Sequence, residues 1–490
     1  MLGSASSTPA GRSGLAAFGV FAVALALLLS FDPFDRPLML DPATWDYMSV
    51  EVARGLVPHR DVFLHKTPGA AFVGAFGAWV GGALGFEPVL GAHALFLVLG
   101  ALGPALLFAV CRPVAGTAAA LAAAVFLFVL DQWPTAAVEG VRPKIVTVDL
   151  GLLCLWAAAR GRPWLAGVAG GASTLCWQPG LCFLVGALAA VDRRSLGAWF
   201  TASLRVAAGS LIPVAVLLAW LASNRAMDDF FAQAVGFNLD YIDTKATTAS
   251  RTLAGIYRYL RHWNTLEVLL FAPAALACAL GLARVPAGVL VSGAVYAGML
   301  FVSFQSWPDT ILVLPVAAAI LGVGLVGLAR ACGGPALVGA VLALALFEAA
   351  TPYNQRLRVV ERFEPQRVAM RELGHGIDRD EPVVAISVPE FLLHTGRRNG
   401  WKWPYMWFGV DRFAADETPG RFGGVLADLE DLDPPLILVA RRWNGPLRKQ
   451  FNRWAARRYE RTDVKIFPHK NPPIAVYRRT AERPELRTRL

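Results

Sequence analysis

The sequence predicts a mainly α-helical membrane protein: a polytopic bundle of about eleven transmembrane spans with a small α/β domain at the carboxyl end. Composition is the first observation. Of 490 residues, 56% are hydrophobic and 17% charged, whereas a soluble chain carries about 25% charged residues. The second is patterning. The apolar residues lie in long runs rather than in alternation, and runs of roughly 18 or more are membrane-helix candidates. The third is the placement of arginines between those runs, which fixes a consistent sidedness.

Taken in order, the run 14–30 follows a polar start containing Arg12 and has no small-residue cleavage site after it, so it reads as a retained first helix. Further spans are expected at about 88–110, 115–131, 145–160, 163–176, 180–191, 197–222, 266–283, 286–304, 311–329 and 333–350. The pair 163–176 and 180–191, parted by Trp177, Gln178 and Pro179, reads as a broken pair. The Gly- and Ala-rich stretch 68–84 is only just long enough to span. If it lies along the surface or re-enters, then Arg112, Arg160, Arg162, Arg193, Arg194, Arg284 and Arg330 all share the side of Arg12. The amino terminus is then cytoplasmic in an inner (plasma) membrane. The loops 31–87, 132–144, 223–264 and 305–310 and the tail after 350 face the other side. This divides the chain into a transmembrane part, 1–350, and an extracytoplasmic domain, 351–490. In the latter, 382–387, 436–440 and 474–477 read as strands, and 361–374 and 447–458 as helices.

The formal charge is +10, from 46 basic and 36 acidic residues. Most of the excess follows residue 440, in pairs such as Arg448 with Lys449 and Arg457 with Arg458. In a membrane protein that surface suits anionic headgroups or simple solvation, and no nucleic-acid partner is expected. The six cysteines, Cys111, Cys154, Cys176, Cys182, Cys278 and Cys332, lie in or beside apolar runs and predict neither disulfides nor a sulfur-based zinc site.

The candidate site is the polar stretch in the first loop. Ionisable groups crowded beside a membrane are costly and point to function. Residues 42–54 have a helical pattern, with Trp45, Met48, Val52 and Leu56 at three- and four-residue spacing, and read as an amphipathic helix on the membrane surface. Asp41 before Pro42 is also how a helix begins, so capping and chemistry both remain open for it. Lys66 is a headgroup anchor or, with Arg60 and His65, a phosphate clamp. His59 and His65 with Asp61 between them have ligand chemistry, but their spacing matches no metal signature, so no cofactor is assigned and a divalent metal lacks a clear motif. Glu139, Arg142 and Lys144 fall on the same side of the membrane, as do Asp240, Tyr241, Arg258, Arg261 and His262. Asp149, a turn inside a span, is expected to pair with Lys144 or Arg142.

Asp41, Tyr47, the run Ala53 to Gly55, the run Pro58 to Asp61 and the run Lys66 to Pro68 together resemble the first external loop of the GT-C glycosyltransferases. The branch they are most similar to includes protein mannosyltransferases and the aminoarabinose transferase of lipid A. The run Val388 to Phe391 and the run His394 to Arg397 are similar to the strand-turn-helix of such tails. This chain departs from the pattern at Pro42, His59 and Thr67, and the stretch Ser306 to Asp309 stands where a late-loop aromatic and basic pair is expected. The resemblance implies a membrane glycosyltransferase with a polyprenyl-phosphate sugar donor and a lipid, glycan or protein acceptor. It implies Asp41 as catalytic base and Lys66 at the lipid phosphate. Asp46, Tyr47, Arg60, Asp61, His65, Glu139 and Arg142 are the further substrate-binding candidates, with loop solvation the other reading of Glu139 and Arg142. A carboxylate partly withdrawn from water beside the membrane is expected to have a raised pKa. The rival readings are a flippase for a lipid-linked sugar, which would show pseudo-symmetric halves and midplane polar groups, and a non-catalytic envelope scaffold.

Overall fold

A computed structural model describes residues 10–480, except 131, 192–193, 245–264, 303–310, 341, 344–346, 348–361, 408, 441–442, 444–445 and 467–472. Arg258, Arg261, His262 and the stretch Ser306 to Asp309 lie outside the described residues.

Helices form at the apolar runs. They are α1 (Ala10–Leu29), α2 (Leu40–Ala53), α3 (Gly69–Ala83), α4 (Pro88–Ala115), α5 (Thr117–Val129), α6 (Gln132–Val138), α7 (Pro143–Ala159), α8 (Pro163–Cys176), α9 (Leu181–Ala190) and α10 (Leu196–Ser223). Helices at Thr265–Ala279, Ala287–Val302 and Leu314–Cys332 follow. By length and hydropathy, Pro88–Ala115, Leu196–Ser223 and Ile311–Cys332 can each cross a membrane, and the bent pair α5 and α6 is a fourth if it is one span. Other apolar helices, such as Gly14–Leu29, are shorter. Helix α10 shows why this is a membrane protein. Leu211, Ile212 and Val216 on its outer side are largely exposed, a cost in water that lipid removes.

The carboxyl-terminal part is a four-stranded mixed sheet of order β1-β2-β4-β3, with β1 (Val383–Ile386), β2 (Leu436–Ala440), β3 (Tyr459–Val464) and β4 (Ile474–Arg479). The β1–β2 pair is parallel and the other two pairs are antiparallel. Strands β1 and β2 are buried along their whole length, which is why each reads as a continuous apolar run. Strand β3 does not alternate and is exposed from Glu460 to Asp463. It escapes the sequence reading, as do the helices Val410–Glu417 and Phe422–Leu432.

The expectation of a surface helix at 42–54 is corrected. Every residue of α2 from Trp45 to Val50, and Glu51 after them, is buried. The helix packs on α3 and α4 on one side and on the Pro389–Thr395 helix of the α/β part on the other. Its apolar period is real, but its remaining faces are covered as well, by the chain's other end. Gly55, at φ 91°, ends the helix, and Leu56 N–H returns to the Glu51 carbonyl.

Polar bonds join the two parts. Asn399 N–H donates to the Tyr47 oxygen at 2.9 Å, and Arg398 reaches Glu51 at 2.7 Å. Gln366 bonds both backbone groups of Leu38, and Arg367 pairs with Glu87 at 2.7 Å. Glu51 is 1% exposed and is held by Arg54 as well as Arg398, as a buried charge requires. Replacing Arg398 by Ala should therefore lower stability by about 1–3 kcal/mol, read as a reduced melting temperature of the detergent-solubilised protein. An unchanged melting temperature would mean that Arg54 alone suffices.

Candidate active site

Helix α2 places two aspartates on different faces and gives them different work. Asp41, in its first turn, is not the cap. Met39 holds that position and makes no side-chain cap bond. The Asp41 carboxylate instead pairs with Arg142, whose other guanidinium nitrogen bonds Glu139. Asp46 is fully buried, accepts from Val141 N–H at 2.8 Å, and has His93 Nε2 3.0 Å from its other oxygen. It braces the turn that leads into α7. Arg142 is the residue before α7, followed by Pro143 in the first helical turn. The two aspartates thus fix one loop, Asp46 by its backbone and Asp41 by its cation.

Gly140 makes the turn close enough. Its φ is 115°, and a Cβ there would lie 2.7 Å from His93 Nε2 and 2.8 Å from Asp46 Oδ2. Gly69 plays the same part across the cleft. A Cβ there would meet the Leu175 carbonyl oxygen at 2.5 Å, so the start of α3 seats directly on the last turn of α8. That contact sets Lys66, three residues earlier, against Trp177, where α8 breaks into an extended residue (φ −160°, ψ 128°) before the next turn.

Lys66 Nζ lies 5.6 Å from the ring centres of both Trp45 and Trp177, and Lys144 Nζ lies 5.8 Å from that of Trp177. The rings hold the ammonium groups by cation–π attraction. Both lysines act on Asp41 through space, together with Arg142. The Asp41 side chain is 55% exposed although protein surrounds it, so it stands in a recess open to solvent. Burial pushes its pKa up, but Arg142, Lys144 and Lys66 outweigh burial and hold it at about 2. The expected rise is overturned, because the sequence did not reveal how many cations converge there.

His65 borders the same cleft. Its Nδ1 is 2.6 Å from the Tyr405 hydroxyl, and Asn238 donates to its carbonyl. Burial, aided by Lys66, holds its pKa at about 3, so the ring is neutral. Burial also pushes the Tyr405 phenol well up. Tyr405 is a contribution of the α/β part to this cleft, and sequence gave no sign of it.

Other candidates are placed elsewhere. Tyr47 is buried against Asn399, and Asp46 against Val141 and His93, so neither faces the cleft. Arg60 binds Asp61 and the Asn224 carbonyl, and Asp61 also accepts from Val57 N–H, a local turn rather than a phosphate clamp. His59 is fully buried at φ 71° with its ring edge-on to Phe230. His59, Asp61 and His65 therefore turn to separate partners. Among the described residues no group of three or more His, Cys, Asp or Glu is placed to hold a metal ion. Asp149 does not pair with Lys144 or Arg142. It is buried, with neither carboxylate oxygen hydrogen-bonded. All six cysteines are free.

No protein-family model and no curated protein matches the chain. Solved structures do match in fold. ArnT from Cupriavidus metallidurans in the apo state superposes with a TM-score of 0.63 at 14% identity, covering 95% of this chain and 98% of that one. ArnT bound to undecaprenyl phosphate gives 0.56 at 14% identity, over 96% and 99%. The archaeal oligosaccharyltransferase AglB from Archaeoglobus fulgidus, in complex with an inhibitory peptide and a dolichol-phosphate, gives 0.54 at 12% identity, over 95% of this chain and 74% of that one. The chain shares the overall fold of these solved structures.

Two outcomes follow for the site's framework. Gly140→Ala should cost about 1–3 kcal/mol and loosen Arg142 from Asp41, seen as a lower melting temperature together with a raised Asp41 pKa by NMR or infrared titration. The second concerns pH. Burial holds His59 at about 4, and His65 and His394 at about 3, against 6.5 in an unfolded chain. Below pH 6.5 the unfolded chain takes up protons that the native one refuses, so stability is complete above 6.5 and falls as pH drops toward 4. His59→Phe should make that fall shallower in a melting-temperature series from pH 7 to 4.

Proposed function

We propose that the chain is a membrane glycosyltransferase that moves a sugar from a polyprenyl-phosphate donor to an acceptor hydroxyl at the extracytoplasmic face, with Asp41 as base. The observation that carries this reading is the meeting of Lys66, Lys144 and Arg142 around one water-reached carboxylate. It is supported by the shared fold with proteins solved with undecaprenyl phosphate and with dolichol-phosphate. Lys66, Lys144 and Arg142 all act on Asp41, a cationic setting that suits a phosphate group.

The acceptor oxygen attacks the anomeric carbon as its proton passes to an Asp41 oxygen. The bond from that carbon to the phosphate oxygen breaks, and its electron pair stays on the phosphate, where the lysines and Arg142 meet the developing charge. An Asp with a pKa of about 2 is a poor base in the empty cleft. A bound donor phosphate competes for the same cations and so raises the proton affinity of Asp41. The base is thereby strengthened only when a donor is present. The neutral His65, bonded to Tyr405, lies in position to contact sugar or acceptor hydroxyls without adding charge.

Cell-free transfer with the purified chain and a synthetic polyprenyl-phosphate sugar tests this, because a flippase breaks no glycosidic bond. Asp41→Asn should reduce turnover by about 10²–10⁴-fold while binding donor at least as tightly, since a competing anion is gone. Lys66→Ala and Lys144→Ala should each weaken donor binding about tenfold. Undiminished turnover in Asp41→Asn would end the proposal.

A further inference from the structure

The helical part carries a second cavity of amphiphilic character, far from Asp41. It is a groove of 850 Å³ between α1, α4 and α7. Phe18, Phe21, Leu102, Leu106 and Leu153 form its walls, and Arg112 and Arg160 also line it. Arg112 belongs to the last turn of α4, and Arg160 caps the end of α7. The same helix α7 begins beside Arg142 at the active-site cleft. Its 17 residues span about 25 Å at 1.5 Å per residue, close to the thickness of a bilayer's hydrocarbon core. The groove's basic end therefore lies at the other end of α7 from the cleft, on the side that the sequence expects to carry the interhelical arginines.

Among the described residues neither Arg112 nor Arg160 forms an ion pair, and Arg112 Nη1 is buried with no hydrogen-bond partner. Its guanidinium carbon lies 6.0 Å from the Phe108 ring centre, which orients the group without neutralising its charge. A buried guanidinium nitrogen without an acceptor is costly, and an anion at the end of this apolar channel would relieve that cost.

We propose that this groove is a binding site for one anionic phospholipid, with its phosphate on Arg112 and Arg160 and its acyl chains along the aromatic and leucine wall. A headgroup that also carried an ammonium would bring a second cation to a lining with no acid among the described residues, so phosphatidylglycerol-type lipids are preferred over phosphatidylethanolamine. The site is independent of the assignment at Asp41 and needs only that these helices lie in a bilayer.

Native mass spectrometry of the full chain, released from bilayers of equal phosphatidylglycerol and phosphatidylethanolamine, reads the site directly. The wild-type protein should retain phosphatidylglycerol in preference. The double variant Arg112→Gln with Arg160→Gln should retain it about tenfold less with phosphatidylethanolamine unchanged. Leu102→Trp, which keeps both arginines and fills the channel, should lower retention of both lipids, and it decides the matter if the double variant does not fold. Equal retention of the two lipids by the wild-type protein, unaltered retention in the variants, or a polyprenyl phosphate in the groove in place of the phospholipid would overturn the proposal.

Discussion

The structure depends on the burial of α2. A helix from a polar loop between apolar helices would ordinarily turn one polar face to water. Here it is enclosed, with membrane helices on one side and the carboxyl-terminal α/β part on the other. Enclosure imposes a requirement on every polar group it carries, since each unpaired one costs about 1–3 kcal/mol. Asp46 is met by Val141 N–H, Ser49 by the Trp45 carbonyl, Glu51 by Arg54 and Arg398, and Tyr47 by Asn399. The polar group that escapes enclosure is Asp41, at the helix start. A rigid scaffold thus presents one carboxylate to water.

The electrostatics of the cleft follow from that rigidity. Helix α7 delivers Arg142 and Lys144, the start of α3 delivers Lys66, and the break after α8 delivers Trp177 to hold two of the three. None of these cations sits in a deep low-dielectric pocket beside Asp41, because the carboxylate is half open to solvent. Their combined effect still exceeds that of burial, as the low proton affinity of Asp41 shows. On the proposed function the site is an anion receptor first and a proton acceptor second, which fits a reaction whose leaving group is a phosphate.

Much of this was legible in the residues. Long apolar runs became helices because burial and chain stiffness follow length and hydropathy, and β1 and β2 were visible because a strand buried on both faces is a short apolar run. Crowded charge in 41–68 located the cleft, and Asp41 and Lys66 do meet there. What stayed hidden lay in pairings across long sequence separations. Nothing local distinguishes Asp46, a brace, from Asp41, five residues before it. Trp177 read as a helix breaker, and its ring matters only because Gly69 lets α3 approach Leu175. Tyr405 meets His65 across 340 positions. The surface placement of α2 failed for the same reason, since the part that covers it is distant in sequence.

The clasp between loop and tail also bears on how the α/β part should be regarded. A tail that only decorated the bundle would touch it through exposed, exchangeable contacts. Instead Phe63 N–H donates to the Lys402 carbonyl, Lys402 Nζ pairs with Asp229, and Phe63 lies in one aromatic cluster with Trp403, Tyr405 and Phe413. His65, two residues on, inherits its position from that cluster, and Lys66 follows it. Displacing the tail would uncover α2 and leave Glu51 with Arg54 alone, while His65 lost its hydroxyl partner. The geometry around Asp41 is thus a property of both ends of the chain, and a tail-less bundle would keep the helices without keeping the cleft.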